Sequence, residues 1–415
     1  MNAKNHDNSS SNNNNNNNNN IVIVAAKRTP MGGLQGELAN TPAPELGAVA
    51  IKAALAQVAA NCTTVNGASL NIDEVYFGNV VSAGLKQAPA RQASLKAGLD
   101  TSIPCTTISK VCGSGMKAIM IGRDQIAAGN AEVIVAGGME NMSATPYLLP
   151  KARQGMRLGH GEVLDSLLLD GLEDADTGGL MGLFGQSTAD AYHISRQAMD
   201  AYAIESLQRA QHANSLQLMD EEIAPVTLNS RNGERIITQD EQPGKAQPEK
   251  IPQLKPAFTK NGSITAANAS SISDGAAALI LMREATAQQQ GIPALARIVA
   301  QASHAQAPSE FCLAPIGAIN KVLTKSGWST NDVDLWEINE AFAVVTMLAM
   351  QQLGLDHSKV NIHGGACALG HPLGASGARI VVTLIYALRR LGKKRGVASL
   401  CIGGGEATAI ALEII

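Results

Sequence analysis

Val111-Cys112-Gly113-Ser114-Gly115-Met116 opens a unit that is written twice in this chain of 415 residues. From a thiol among small residues it runs into a helical stripe, with Met116, Ile119, Met120 and Ile126 on one face and Arg123 and Asp124 off it. Gly129-Asn130 ends the helix, and the apolar strand Val133–Ala136 leads to Gly137-Gly138. In the second half, Gly374-Ala375-Ser376-Gly377 opens a helix to Gly392, followed by the strand Val397–Cys401 and then Gly403-Gly404-Gly405.

The match extends outward on both sides. The strand Ile21–Ala26, an alanine-rich helix near residues 45–60 and the block Asp73–Asn79 correspond to the strand Ala296–Ala300, a helix near residues 315–325 and the block Asp332–Asn339. The strand Gly275–Met282 closes the first half as Ala407–Leu412 closes the second. Short apolar strands alternating with amphipathic helices predict mostly parallel sheets covered by helices, hence two similar α/β halves. The chain then divides into a tail at 1–20, a first half made of 21–140 and 271–290, an inserted loop domain at 141–270 and a second half at 291–415. The insertion carries cations such as Lys151, Arg153, Arg157, Arg231 and Lys245, as expected of a cap over a site.

Composition narrows the function classes. With 45% apolar residues and a formal charge of −3, the chain reads as globular and soluble, and nothing electrostatic calls for nucleic acid or a membrane surface. No apolar stretch reaches the roughly 18 uncharged residues of a spanning helix. Six cysteines without a CxxC pair indicate reduced thiols and a cytoplasmic compartment. The Asn-rich residues 1–20 read as a disordered tail without the features of a secretory or transit signal.

Cys112 stands where a helix start lowers the pKa of a thiol, although a free cysteine also serves as a small buried hydrophobe. Three later blocks bear on that choice: Asn339-Glu340-Ala341-Phe342-Ala343, Gly370-His371-Pro372-Leu373-Gly374 and Cys401-Ile402-Gly403-Gly404-Gly405. Each sits where a strand hands over to loop or helix, the place where such folds collect ligands. Each also has a plainer reading, with Asn339 as a helix cap, His371 as a structural histidine and Cys401 as core.

Taken in order, Val-Cys-Gly-Ser-Gly, Asn-Glu-Ala-Phe, Gly-His-Pro-Leu-Gly-Ala-Ser-Gly-Ala-Arg and Cys-Ile-Gly-Gly-Gly resemble the thiolase family over residues 21–415. Arg28–Gly32, Ala88–Gln92, Gly137–Ser143 and Asn268–Ala277 add to the resemblance. It implies the thiolase fold, in which two duplicated βαβαβαββ-type halves pack as a layered αβαβα sandwich with an inserted loop domain. Within the family the chain is most similar to acetyl-CoA acetyltransferases, which implies reversible Claisen condensation of two acetyl-CoA through an acyl-cysteine. The alternatives are a broader-chain 3-ketoacyl-CoA thiolase of fatty-acid breakdown and, from another class, a non-catalytic acyl-CoA binding protein. A β-ketoacyl carrier-protein synthase would bring one cysteine and two histidines, whereas here there are two cysteines and one histidine.

Carried over by position, the resemblance makes Cys112 the nucleophile, His371 the base that takes its proton and Cys401 the second acid/base. It implies one oxyanion hole at His371 with a water held by Asn339, and another at the backbone N–H groups of Cys112 and Gly403, where glycine permits close approach. Coenzyme A and acetyl-CoA are expected as substrates, with no permanently bound cofactor and no metal. Pantetheine is placed near Ser270, the nucleotide phosphates near Lys245, and Met181 narrows the acyl pocket. A homotetramer built as a dimer of dimers is expected. Departures from the family pattern are Gln186 for a glutamate, Gly185 for an alanine, Leu180 where some members carry histidine, and Lys86 and Ala267 for glycines.

Overall fold

The computed structural model describes residues 20–62, 70–230 and 233–415. The tail expectation for 1–20 therefore lies outside the described residues except at Asn20. The first half contains strand β1 (Ile21–Arg28), helix α1 (Ala43–Asn61), β2 (Glu74–Gly78), α2 (Pro89–Lys96), β3 (Cys105–Ile108), α3 (Ser114–Ala128) and β4 (Val133–Asn141). Two long helices follow, α4 (Met181–Ala191) and α5 (Arg196–Ser215), before β5 (Ser273–Arg283). The second half brings β6 (Ala296–Ala305), α6 (Ala314–Ser326), β7 (Leu335–Ile338), α7 (Ala343–Leu353), α8 (Leu373–Arg390), β8 (Arg395–Ile402) and β9 (Glu406–Ile414).

The duplication is visible in the strand order. The first half runs β3-β2-β4-β5-β1 and the second β7-β8-β9-β6, and a parallel bridge between Trp336 and Val360 stands where β3 would be. β2 pairs parallel with β3 and β4, as β7 does with β8, but the other strand pairs within each half are antiparallel, so the sheet is mixed and the expectation of mostly parallel sheets is not met. Even a register shift is repeated, between Ile23 and Ala25 in β1 and between Ile298 and Ala300 in β6. The halves join edge to edge through a short antiparallel pairing of Val22 and Ile23 with Arg297 and Ala296.

Helices sort into three layers around the two sheets. α3 and α8 lie between them, and Met116, Ile119, Met120 and Ile126 of the predicted stripe share a core with Ile380, Leu384, Ile385 and Leu388. α1 covers the outer face of the first sheet through Leu46, Ile51 and Ala54, and α6 covers the second through Ala318, Ile319 and Val322. Every residue from Leu373 to Leu388 is buried, as an apolar central helix requires. Each such Leu or Ile contributes roughly 1.5–3 kcal/mol of apolar burial. α1 has the length and apolar content of a membrane span, yet half of it is buried inside the fold.

One local expectation changes. Gly137-Gly138 was read as the end of a strand, but β4 continues to Asn141. The glycines are needed for closeness, because a side chain would start 2.1 Å from Ala277 O at position 137 and 1.9 Å from Gly374 O at position 138.

Candidate active site

Cys112 sits just ahead of α3, in a turn rather than in the helix. Gly113 N donates to Lys110 O at 3.0 Å, Ser114 N donates to Val111 O at 3.0 Å, and Ser114 Oγ donates to Val111 O at 2.7 Å. Val111 has φ +45°, a left-handed conformation that costs a β-branched residue about 1–3 kcal/mol. The surrounding bonds hold that strain, and it presents the Cys112 side chain to a cavity of ≈ 480 Å³.

His371, Cys401 and Gly403 line the same cavity, as do Ser270, Leu180 and Met181. Its walls are aromatic and apolar: Phe342 meets Phe258 edge-on at 6.1 Å and Phe311 at 6.2 Å. His371 lies just before α8, and its backbone N–H donates to Ser271 O at 3.1 Å. Its Nδ1 is 2.6 Å from Ser376 Oγ, while Nε2 is buried without a partner among the described residues. Two N–H groups, those of Gly403 and of Cys112 itself, are directed at the Cys112 sulfur.

Electrostatics runs against the expectation that the helix start lowers the pKa of the Cys112 thiol. Burial pushes the Cys112 thiol up to about 11, and the nearby Glu140 carboxylate adds to the rise against the two N–H groups. Desolvation outweighs the helix start here, with no cation acting on the sulfur among the described residues. Burial also pulls His371 down to about 3, helped by Arg379, so the imidazole is neutral. Cys401 is raised well above the usual thiol range by burial and then by the neighbouring Cys112 and Cys312. The resting site is thus a neutral thiol facing a neutral base.

Two sequence assignments, Asn339 and Lys245, fall outside the cavity, and the close approach expected at Gly403 is not what the structure shows there. Asn339 lies behind His371, with Nδ2 3.5 Å from Nδ1 and its Oδ1 without a partner, and it does not line the cavity. A water shared with Nε2 would need the Asn339 amide to reach the opposite edge of the ring. Gly403 has ordinary space: a side chain there would meet Met181 Sδ at 3.4 Å and Val111 Cγ1 at 3.6 Å. The demanding glycines are Gly404 and Gly405, each with φ +85°. Lys245 is solvent-exposed, ion-paired with Glu241 and outside the cavity, because the short helix that carries it turns its ammonium toward that carboxylate. Lys250 instead borders a second cavity that shares Gln242, Ala266 and Ser271 with the first.

Gln186 is a structural amide. Its Oε1 accepts from Ser263 N at 2.7 Å and Ile264 N at 3.2 Å, and its Nε2 donates to Asp190 and Ser263 Oγ at 2.9 Å. Lys86 adopts φ +67°, which explains why glycine would suit that position.

Three polar residues with a place in the site carried no role in the sequence reading. Ser376 touches His371; Glu140 accepts hydrogen bonds from both halves; and Glu340 accepts from Tyr202, Ser206 and Asn361 at 2.8 Å, binding α5 to the Asn339–Phe342 turn. A charged residue inside an otherwise apolar strand, as at Glu140, was the available signal.

Comparison with known proteins fits this geometry. Residues 21–285 match the thiolase N-terminal domain and residues 292–414 the thiolase C-terminal domain. An acetyl-CoA acetyltransferase of Pseudomonas aeruginosa is 47% identical over 389 residues, 93% of this chain and 97% of that protein. The acetyl-CoA acetyltransferases of Schizosaccharomyces pombe and Cupriavidus necator are 46% and 45% identical over 390 residues, 94% of this chain in each case and 97% and 98% of those proteins.

Proposed function

The chain belongs to the thiolase family, and we propose on that premise that it is an acetyl-CoA C-acetyltransferase, condensing two acetyl-CoA to acetoacetyl-CoA and CoA and catalysing the reverse cleavage. The observation that carries this reading is the single cavity wall shared by Cys112, His371, Cys401 and Gly403. A broader-chain thiolase and a non-catalytic binding protein are not favoured by the relatives.

In the proposed sequence, His371 Nε2 takes the Cys112 proton as the sulfur attacks the acetyl-CoA carbonyl, so the charge on sulfur is created only in the transition state. The N–H groups of Cys112 and Gly403 donate to the developing oxyanion. Cys401, kept protonated by burial, gives its proton to the departing CoA sulfur and is left as a thiolate. That thiolate removes an α-proton from the second acetyl-CoA, and the resulting carbanion attacks the Cys112 acyl group. The Cys112 thiolate is expelled and recovers its proton from His371, which restores the starting state. Exchanging one thioester for another is close to isoenergetic, which keeps both directions open.

We further propose a homotetramer and a cytoplasmic setting; the family resemblance supports the first, and six free cysteines among the described residues support the second. Incubation with acetyl-CoA followed by peptide mass spectrometry is the direct test. An acetyl group on Cys112 is expected, and its absence while CoA still binds would overturn the enzymatic reading.

A further inference from the structure

Glu140, in β4, is fully buried and does not line the catalytic cavity. Its Oε1 accepts from Asn79 Nδ2 at 2.7 Å and Val81 N at 3.2 Å; its Oε2 accepts from Val80 N and Gly374 N, both at 2.9 Å. All four partners are donors, and they come from both halves of the molecule. Asn79–Val81 is the loop leaving β2, whereas Gly374 lies in the first turn of α8, three residues beyond His371. Among the described residues, no cation pairs with this carboxylate.

The junction leaves no room for another spacer. A side chain at Gly78 would begin 2.7 Å from Gly374 O, and one at Gly115 would begin 2.8 Å from it. Val80 and Val81 share a small apolar cluster with Cys112 and Leu373, so displacing the loop or the start of α8 would displace the groups beside the nucleophile and the base.

We propose that Glu140 is a positioning residue whose carboxylate clasps the Val80–Val81 loop to the first turn of α8, fixes the spacing of Cys112 and His371, and must be ionised to do so. The requirement for charge follows from the four donors, since a carboxylic acid adds a donor of its own and gives up acceptor capacity. This rests on the reading of Cys112 and His371 as the reacting pair. Among the described residues the titratable groups around the clasp are few: Asp274 acts on Glu140 and Glu140 on Cys112, while His371 and Cys401 line the same cavity as Cys112. Burial, with Asp274 adding, pushes Glu140 up to about 7, so its charge is set near neutrality. The same charge opposes ionisation of Cys112, which gives the proposal a signature that a merely structural role lacks.

The full-length chain and its Glu140→Gln and Glu140→Asp variants would be compared in acetoacetyl-CoA thiolysis, in iodoacetamide alkylation of Cys112 across pH and in thermal unfolding. Glu140→Gln keeps the reach and loses the charge: kcat should fall roughly 10–100-fold with KM changed less than about threefold, since a misplacement near 1 Å costs that much. Its Cys112 alkylation midpoint should nevertheless move down by about half a pH unit or more, the thiol being relieved of a like charge. Glu140→Asp keeps the charge and loses the reach, so its midpoint should stay while kcat falls. If Glu140→Gln does not fold, Asn79→Ala, which removes one donor, should lower kcat with the midpoint unmoved. A Glu140→Gln enzyme that folds with an unshifted midpoint, or a Glu140→Asp enzyme with wild-type kcat, overturns the proposal. A wild-type chain that takes no acetyl group on Cys112 overturns instead the reading beneath it.

Discussion

His371 Nδ1 lies 2.6 Å from Ser376 Oγ, and that hydroxyl lies 2.9 Å from the carbonyl oxygen of Pro372. A carbonyl can only accept, so the Ser376 proton goes to Pro372 and the hydroxyl oxygen accepts Nδ1–H. The ring's lone pair is thereby left on Nε2, which has no partner among the described residues, and the imidazole lines the cavity shared with Cys112. Ser376 thus selects the tautomer in which His371 is a base toward the cavity.

Ser376→Ala should free the other tautomer and lower kcat by roughly 10–100-fold, less than the roughly 100–10,000-fold that losing the general base itself would cost, while KM stays near its starting value. Ser376→Thr keeps a hydroxyl and should recover part of the loss. Nitrogen chemical shifts of labelled histidine would report the tautomer directly. Wild-type kcat in Ser376→Ala would remove the serine from the argument.

The neutral pairing of Cys112 and His371 predicts a particular pH dependence. With the thiol near 11 and the imidazole near 3, the thiolate fraction rises with pH, so alkylation of Cys112 should keep accelerating from pH 8 to pH 10. A preformed thiolate–imidazolium pair would instead give a plateau beginning below pH 7. Iodoacetamide rates across that range separate the two, and a low-pH plateau would mean that a bound water or ion stabilises the charge.

Cys401 divides the reaction into two measurable parts. Its thiol is buried on the cavity wall beside Cys112, where the proposed mechanism gives it the second proton transfer. Cys401→Ala should still take an acetyl group from acetyl-CoA, at a reduced rate for want of a proton donor to CoA. Condensation should fall by at least about 100-fold, the lower range of a lost acid/base group. Cys112→Ala should lose both steps. Equal loss of acylation and condensation in Cys401→Ala would assign Cys401 to packing.

Local signals made the duplicated fold readable, because strand and helix periodicities repeat in the same order and apolar stripes such as Met116, Ile119, Met120 and Ile126 point where they must. Closeness of backbone left no such trace: Gly137-Gly138 reads as punctuation until Gly374 is seen against it. The same division holds in the site. Cys112 and His371 stand out as reactive residues before helix starts and Cys401 as one at a strand end, whereas Glu140 acquires its meaning from Gly374, 234 residues away. Lys245 was chosen by its position along the chain, and a carboxylate four residues before it claims its ammonium. Gln186 drew attention as a lost charge, but its four polar contacts are those of a neutral brace.

Met181 carries the last prediction, on chain length. It lies at the start of α4 with Leu180 on the cavity wall, its sulfur 3.4 Å from where a side chain at Gly403 would begin. An acyl group carried on Cys112, as proposed, would extend from the same wall, so the Met181 side chain would limit how many methylenes fit beside it. Met181→Ala should raise the ratio of kcat/KM for a six-carbon 3-ketoacyl-CoA over that for acetoacetyl-CoA by roughly tenfold, because two methylenes are worth about 0.8 kcal/mol each when buried. The shortened side chain should also lower thermal stability by about 2 kcal/mol, the low end for such a truncation at a partly buried site. An unchanged ratio would place the growing acyl chain against Phe311 instead, and Phe311→Leu would then be the variant that lengthens it.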